Sequence, residues 1–494
     1  MKVLNSKNYP EHINTVNAPN FNRNDVKSSI VHFGVGNFHR CHQAVYCDDL
    51  LNKGELDWGI IGVSLRSANV RDALAPQDFL YTQATLGEET QYRVISSLTN
   101  ILVAPESPSA VVMTLADDQT QVVTITITEK GYCLSDGLID VNHEAFRHDL
   151  QLLSKPQSIY GFLAAGIIKR HHQNGSAFSI MCCDNMQGGG EYLAQGVNRL
   201  LNQHSEQAYA WAQQHVSFIS SMVDRVSPAT SQSLKDSIAR DLAFVDQWPV
   251  SAEPFSQWVI EDNFAGEKPP FEQVGALFVK DIASFENMKL RFLNAGHSIA
   301  SALGYLAGKK YIHEALACTN ILTFVKQTLT GNILAVSPVP DAISAADYIE
   351  QVLARFQNSA LPYAVLQVGS DSSQKIQQRL YPSIEAAITN QSDSAYLSFS
   401  LAAWLAYIDQ AIVHKELNDP LSAQFEKMHK LDLKQRSKAY LELAGAAQHS
   451  FYANSHFMQA VLADYISISE QGIEQALDAF NQALTSKEQK TAQT

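Results

Sequence analysis

The sequence predicts an α/β fold in two parts, an N-terminal region with a mostly parallel sheet and a mainly α-helical C-terminal region. Three observations predict it. Between residues 29 and 262, short apolar runs rich in β-branched residues alternate with helical stretches, the pattern of strand–helix–strand units. From Ser284 onward strand-like runs give way to long 3.6-residue periodicities. An apolar strand, Ser29-Ile30-Val31-His32-Phe33, runs directly into Gly34-Val35-Gly36-Asn37-Phe38-His39-Arg40 and then into a helix. In that setting glycines let the backbone approach a pyrophosphate, and a helix N-terminus favours its charge. The change of pattern divides the chain into residues 1–283 and 284–494.

Taken in order, residues 1–24 form a polar arm with no apolar core, so they are not a signal peptide. In the glycine turn, Gly34, Gly36, Phe38, His39 and Arg40 are the candidate cofactor-binding residues, and His39 stands where a third glycine is usual. Trp58 to Ser64 reads as a second strand, whose end should meet an adenosine ribose. Leu65-Arg66-Ser67-Ala68-Asn69 follows and holds no acid. An acid there would favour NAD, whereas an arginine such as Arg66 could accept a 2′-phosphate. Val122 to Thr128 is the expected central strand, residues 161–172 a helix, and Phe178 to Cys183 another strand. That strand ends in Asp184-Asn185-Met186. Val216 to Val223 ends in Asp224-Arg225, and Phe255 to Ile260 in Glu261-Asp262. Polar residues just past strand ends are where open α/β sheets hold ligands.

In the second part a helix is expected over residues 285–304 with Ser284 as its N-cap. At about 100° per residue from Lys289, Glu286 falls near ~60°, His297 near ~80° and Asn294 near ~140°. Leu293 lies within this polar sector, which suits a pocket wall better than a solvated face. Lys289 as base, with Asn294 and His297 as donors, suits carbonyl–alcohol chemistry, in which an oxyanion is held and a proton exchanged. Residues 331–341 read as a connector and 342–356 as a helix. Asp371-Ser372-Ser373-Gln374-Lys375, with Arg379 beyond, reads by pattern as a solvated loop. Residues 395–408 read as a buried helix too short to span a bilayer, and the tail from Ser486 as frayed.

Composition narrows the classes. The chain has 494 residues with a net charge of −14 and no basic run, which argues against a nucleic-acid partner. No membrane span is expected. The six cysteines, including the adjacent Cys182-Cys183, form no C-x-x-C pair and suit buried, reduced thiols of a cytoplasmic protein. Adjacent strand residues should point to opposite faces. None of the 16 histidines shows zinc-site spacing, so no metal is expected. Serine-hydrolase and P-loop motifs are absent. An oligomer is not required.

Together these segments resemble the polyol-specific long-chain dehydrogenase/reductase family, which includes mannitol 2-dehydrogenases and fructuronate reductases (D-mannonate oxidoreductases). The resemblance is carried by Gly34 to Arg40, Thr126-Ile127-Thr128-Glu129-Lys130-Gly131-Tyr132, Cys183-Asp184-Asn185, Val223-Asp224-Arg225, Gln257 to Asp262 and Lys289 to His297. It implies a Rossmann-type N-terminal domain, a mainly α-helical C-terminal domain and metal-independent hydride transfer with NAD, NADP not being excluded. It implies Lys289 as general base, Asn185 and Asn294 on the reacting oxygen, His297 and Asp224 as substrate contacts, and Glu286 as a proton relay. The chain departs from the mannitol enzymes in two places. Ala68 and Asn69 stand where those carry acids. Gln367 stands where they carry an arginine, eight residues before the lysine matched by Lys375. Fructuronate reductases are similar to this chain in that glutamine and in a segment like Asp371 to Arg379, which makes Lys375 and Arg379 candidate anchors for a substrate carboxylate. The resemblance therefore implies D-fructuronate and D-mannonate as the substrate pair, with a neutral mannitol or arabinitol dehydrogenase as the alternative. A nucleotide-binding regulator without catalysis is disfavoured, because Lys289, Asn185 and Asn294 are all present.

Overall fold

A computed structural model describes residues 1–8, 17–135 and 137–491. The chain divides into two compact units, Met1–Ala283 and Ser284–Thr494. The first is built on eight strands: β1 (Ile30–Phe33), β2 (Ile60–Ser64), β3 (Leu98–Val103), β4 (Val122–Ile125), β5 (Phe178–Cys182), β6 (Val216–Asp224), β7 (Gln257–Glu261) and β8 (Leu277–Val279). Their order across the sheet is β3-β2-β1-β4-β5-β6-β7-β8. Every neighbouring pair is parallel except β6 and β7. This is the mostly parallel, Rossmann-type sheet that alternating strands and helices require.

The central strands are apolar because both of their faces are covered. Val31, Phe33, Ile125, Ile180 and Cys182 pack in one core, and Ile30, Val122, Met181 and Cys183 in another. The adjacent cysteines thus point into opposite layers, as a two-residue strand period demands. All six cysteines are free thiols. Five are buried, but Cys318, expected to be buried, is only half-buried. The strand order reverses between β1 and β4. Open α/β sheets hold ligands at such a reversal, beyond the strands' carboxyl ends.

The N-terminal arm is more ordered than its polarity suggests. Lys2–Val3 pairs with Phe244–Val245, and Leu4 is fully buried. The part of the arm at residues 9–16 lies outside the described residues.

The second unit is helical. α1 (Asn37–Cys41) and α2 (Gln43–Asn52) belong to the first unit. Helices of the second unit include α3 (Ile282–Lys289), α4 (Ala295–Leu306), α5 (Ala345–Gln357), α6 (Ser372–Arg379), α7 (Ala395–Val413) and α8 (Ser455–Gln471). α7 runs five residues beyond the expected end at Ile408. By length and composition it could cross a bilayer, but it is mostly buried inside its unit. Near its end, Asp409 accepts hydrogen bonds from His429 Nδ1 (2.9 Å), Arg436 Nη1 (3.0 Å), Tyr440 OH (3.1 Å) and Tyr465 OH. A buried carboxylate needs such company, and here it joins α7 to later helices.

Four expectations change. α3 begins at Ile282, so Ser284 lies inside it and is not its N-cap. The chain is still helical, as a π turn, over Thr328–Ile333, so the connector begins later than residue 331. Asp371 to Lys375 is not a solvated loop, because Ser372 onward forms α6. Asp419 accepts from Ser373 N (2.8 Å), Ser373 Oγ (2.6 Å) and Ser372 Oγ (3.2 Å), and this buries both serines. The last helix, Ile473–Thr491, continues past Ser486, where fraying was expected.

Candidate active site

The glycine turn follows β1. Gly34 has φ +96°, and a Cβ there would lie 1.8 Å from Thr126 O, so only glycine fits. Its N–H donates to Val63 O at 2.9 Å, which ties the turn to the end of β2. Gly36 differs. It is exposed, its φ is −83°, and a Cβ would approach only Gly34 O, at 3.9 Å. The outer side of the turn is therefore bare backbone, directly before the first turn of α1. This fits a dinucleotide, whose pyrophosphate needs close backbone approach and a helix start.

The flanking side chains pack inward. Phe38 is half-buried and stacks on His42, with ring centroids 5.0 Å apart. His39 and Arg40 have fully buried side chains, so any contribution they make to a cofactor comes from their backbone. Arg40 donates to Trp248 O and to Asn37 Oδ1 (2.8 Å) and lies over the Tyr81 ring. His39 stacks on His32. The His32 ring spans the turn, with Nδ1 2.7 Å from Thr124 Oγ1 and Nε2 2.9 Å from Thr126 Oγ1.

Burial pushes His32 down to about 3, and drives His39 well below its ordinary value, with His32 and Arg40 adding to the effect. Both histidines are neutral in the folded unit at pH values where they protonate in the unfolded chain. Stability should therefore fall as pH drops below about 6.5, by roughly 1.4 kcal/mol per pH unit for each histidine. Urea unfolding of the first unit at pH 7.5 and 5.5 measures this. Replacing His32 with asparagine should flatten the dependence, and an unchanged slope would contradict the assignment.

At the end of β5, Asp184 accepts from Ile127 N (2.7 Å), Thr128 N (3.2 Å) and Tyr132 OH (2.8 Å). Burial pushes its carboxyl up, while these donors pull it back. The three bonds hold the segment after β4, where Thr128 has φ +65°, against the end of β5. Asn185 follows and is exposed. Asp224 closes β6, is buried and pairs in register with Gln257.

In the second unit, α3 carries Glu286 and Lys289, both buried. Between α3 and α4 the helix widens into a π turn, Leu290–Asn294, in which Ala295 N–H reaches back to Leu290 O. A π turn takes about one residue more than an α turn, which sets later residues back by roughly 100°. Asn294 then lies near ~40° from Lys289 and His297 near ~−20°, so the four polar groups share a sector of about 80° instead of 140°. The π turn gathers them. Asn294 is half-buried, and so is His297, whose ring lies 4.1 Å from Phe356 of α5 and edge-on to Tyr363 at 5.8 Å.

α6 packs beside this segment. Arg379 Nη1 donates to Ser298 Oγ at 2.9 Å and to Asn294 O at 3.3 Å, and Arg291 Nη1 donates to Gln378 O at 3.0 Å. Lys375 Nζ donates to Val368 O and Ser370 Oγ, both at 3.3 Å. Lys375 and Arg379 line one pocket with Ala295, Ser298, Ile299 and Trp404. Burial pushes the Arg379 guanidinium down to about 10. Among the described residues it has no ion pair with a carboxylate. Ser298 and Arg291 escaped the sequence reading. Ser298 lies one turn beyond Asn294, a spacing that could have flagged it.

Comparison with known proteins agrees with this architecture. The profile of the mannitol dehydrogenase Rossmann domain matches residues 28–273, and that of the mannitol dehydrogenase C-terminal domain matches residues 281–469. A mannitol 2-dehydrogenase of Phaeosphaeria nodorum is 35% identical over 436 residues, covering 86% of this chain and 76% of the relative. A D-mannonate oxidoreductase of Escherichia coli is 33% identical over 476 residues, covering 94% and 98%. Among solved structures, Pseudomonas fluorescens mannitol 2-dehydrogenase in ternary complex with NAD and D-mannitol is similar with a TM-score of 0.81 at 32% identity, over 98% of this chain and all of that one. A substrate-free D-sorbitol dehydrogenase gives 0.89 at 28% identity, over 96% of this chain and all of that one. With both domain profiles matched along most of its length, the chain belongs to the mannitol dehydrogenase family of oxidoreductases.

Proposed function

We propose that this protein is a nicotinamide-dependent sugar-acid reductase that interconverts D-fructuronate and D-mannonate. The observation that carries the acid reading is Arg379. It is a half-buried cation without a carboxylate partner among the described residues, lining a pocket with residues of α4. A guanidinium held partly out of water is stabilised by a carboxylate that it can grip with two N–H groups. Lys375, one turn earlier on α6, faces the same pocket. The second reading, a neutral polyol dehydrogenase, is favoured by the mannitol 2-dehydrogenases among the relatives.

The nicotinamide, when bound, supplies and accepts hydride at the carbinol carbon. NAD is the form this reading takes from the family. The turn of Gly34 and Gly36 would hold its pyrophosphate by backbone. Lys289 removes the hydroxyl proton during oxidation and returns it during reduction. Asn185 and Asn294 donate to the reacting oxygen as alkoxide character develops, and fixed amides do so without reorganising. Glu286 passes protons between Lys289 and water. His297 and Asp224 orient the substrate hydroxyls.

Replacing Arg379 with methionine, which keeps much of its volume, tests the acid reading. kcat/KM for the uronate should fall about 30-fold or more, equivalent to ~2 kcal/mol, through a raised KM. Turnover of any neutral ketose should be spared. Equal loss on both substrates would mean that Arg379 only braces Asn294 and Ser298.

A further inference from the structure

We propose that Asp419 is a positioning residue for the substrate site. Through Ser372 and Ser373 it fixes the start of α6, and so aims Lys375 at the substrate carboxylate. The inference rests on the sugar-acid reading and names the group on which the second cation of that reading depends.

The need for such a group follows from α6 itself. It has eight residues, too few for a helix to be stable in water without tertiary contacts. Asp371 stands at its N-cap with φ +51°, and the Asp371 side chain makes no cap bond. The free amides of the first turn therefore require an acceptor from elsewhere. Asp419 supplies it from the segment after α7. Its Oδ2 accepts from Ser373 N at 2.8 Å and from Ser372 Oγ at 3.2 Å, and its Oδ1 from Ser373 Oγ at 2.6 Å. Leu421 N holds the carboxylate in turn, 3.0 Å from Oδ1. Asp371 N donates to Asn418 O at 2.9 Å, so the backbone of the same segment grips the residue before the helix. A negative charge at a helix start is also favoured by the peptide dipoles.

Lys375 sits where this arrangement is felt. Lys375 N donates to Asp371 O at 3.1 Å, in the turn that Asn418 and Asp419 fix. Its Nζ reaches back to Val368 O and Ser370 Oγ, just before that turn. Ser372 and Lys375 line the same pocket as Arg379. Arg379 is held separately, by Ser298 Oγ and Asn294 O at the other end of α6. The cations thus have different supports, Asp419 for Lys375 and Ser298 for Arg379. A slide of the first turn of α6 would move Lys375 and leave Arg379 near its place. Ser373 is fully buried, and Asp419 and Ser372 nearly so. Buried polar groups keep their partners, because no water waits to replace them, and this makes the support stiff.

Steady-state kinetics of the full chain with D-fructuronate and NADH, on single and double variants, test this. Asp419→Asn keeps the shape of the side chain but turns one acceptor oxygen into a donor. It should raise KM for fructuronate about tenfold and leave kcat within about twofold, since the displaced group binds substrate and does no chemistry. Added to Lys375→Met it should change little more, because the residue it aims is already gone. Added to Arg379→Met its effect should multiply in full. Ser373→Ala removes a single hydroxyl and should show the same pattern at smaller size, and it decides the matter where Asp419→Asn does not fold. An unchanged KM in both variants would overturn the inference. So would a loss that multiplies with Lys375→Met as fully as with Arg379→Met, which is what a general loosening of the fold produces. Fructuronate kinetics left unchanged by both Lys375→Met and Arg379→Met would overturn the sugar-acid reading itself, and the inference with it.

Discussion

Replacing Lys289 with alanine is expected to lower kcat by about 10²- to 10⁴-fold, the usual worth of a positioned general acid–base. KM should change little, because the group acts on a proton in transit and not on the resting substrate. Lys289 is buried on the last turn of α3, directly before the π turn, so it cannot be displaced far without disturbing that helix. Two controls separate chemistry from structure. The thermal unfolding temperature of the variant should remain close to that of the parent, and added small primary amines should restore part of the rate. Lys289→Arg keeps the charge but cannot give up its proton, so it should be nearly as slow as alanine. A Lys289→Ala enzyme with full turnover would remove this lysine from the mechanism.

Gly34→Ala is expected to be the most damaging single change to the first unit. Two costs add. The added Cβ would fall 1.8 Å from the Thr126 carbonyl oxygen, and the residue would have to hold φ +96°. Neither cost can be relieved by a side-chain rotation, because the obstacle is backbone of the neighbouring strand's exit. The combined loss should reach at least about 3 kcal/mol, more than a typical point mutation. Gly36→Ala is the matched control. Its φ is ordinary and its Cβ would have open space, so stability should change by less than about 1 kcal/mol. Its effect should appear instead as weaker dinucleotide binding, because the methyl group would stand on the bare side of the turn. Urea denaturation of both variants decides this, and equal stability losses would contradict the account.

Much of the fold was legible because sheet burial leaves a direct trace in sequence. Strands covered on both faces must be runs of Val, Ile and their like, and Val122 to Ile125 is fully buried as that rule requires. The glycine turn was legible because φ +96° leaves so few residue choices. The π turn was not. No residue type marks it, so an even 100° count makes the polar sector too wide. α6 was hidden for another reason. Its serines look solvated until Asp419, some 46 residues away, accepts their hydrogen bonds. His39 and Arg40 sit in a motif that suggests contact with ligand, yet their side chains belong to the core. Local pattern could not reveal that, because His32 and Trp248, which receive them, lie on other segments.

We propose that this chain reduces a 2-keto sugar acid by hydride transfer. The most direct test follows the loss of reduced nicotinamide absorbance with D-fructuronate and D-fructose in parallel, each with NADH and with NADPH. Rapid oxidation of the cofactor with fructuronate and little with fructose is expected. Rapid oxidation with fructose and none with fructuronate would contradict it, and would make this protein a polyol dehydrogenase in which Arg379 braces the active-site helix.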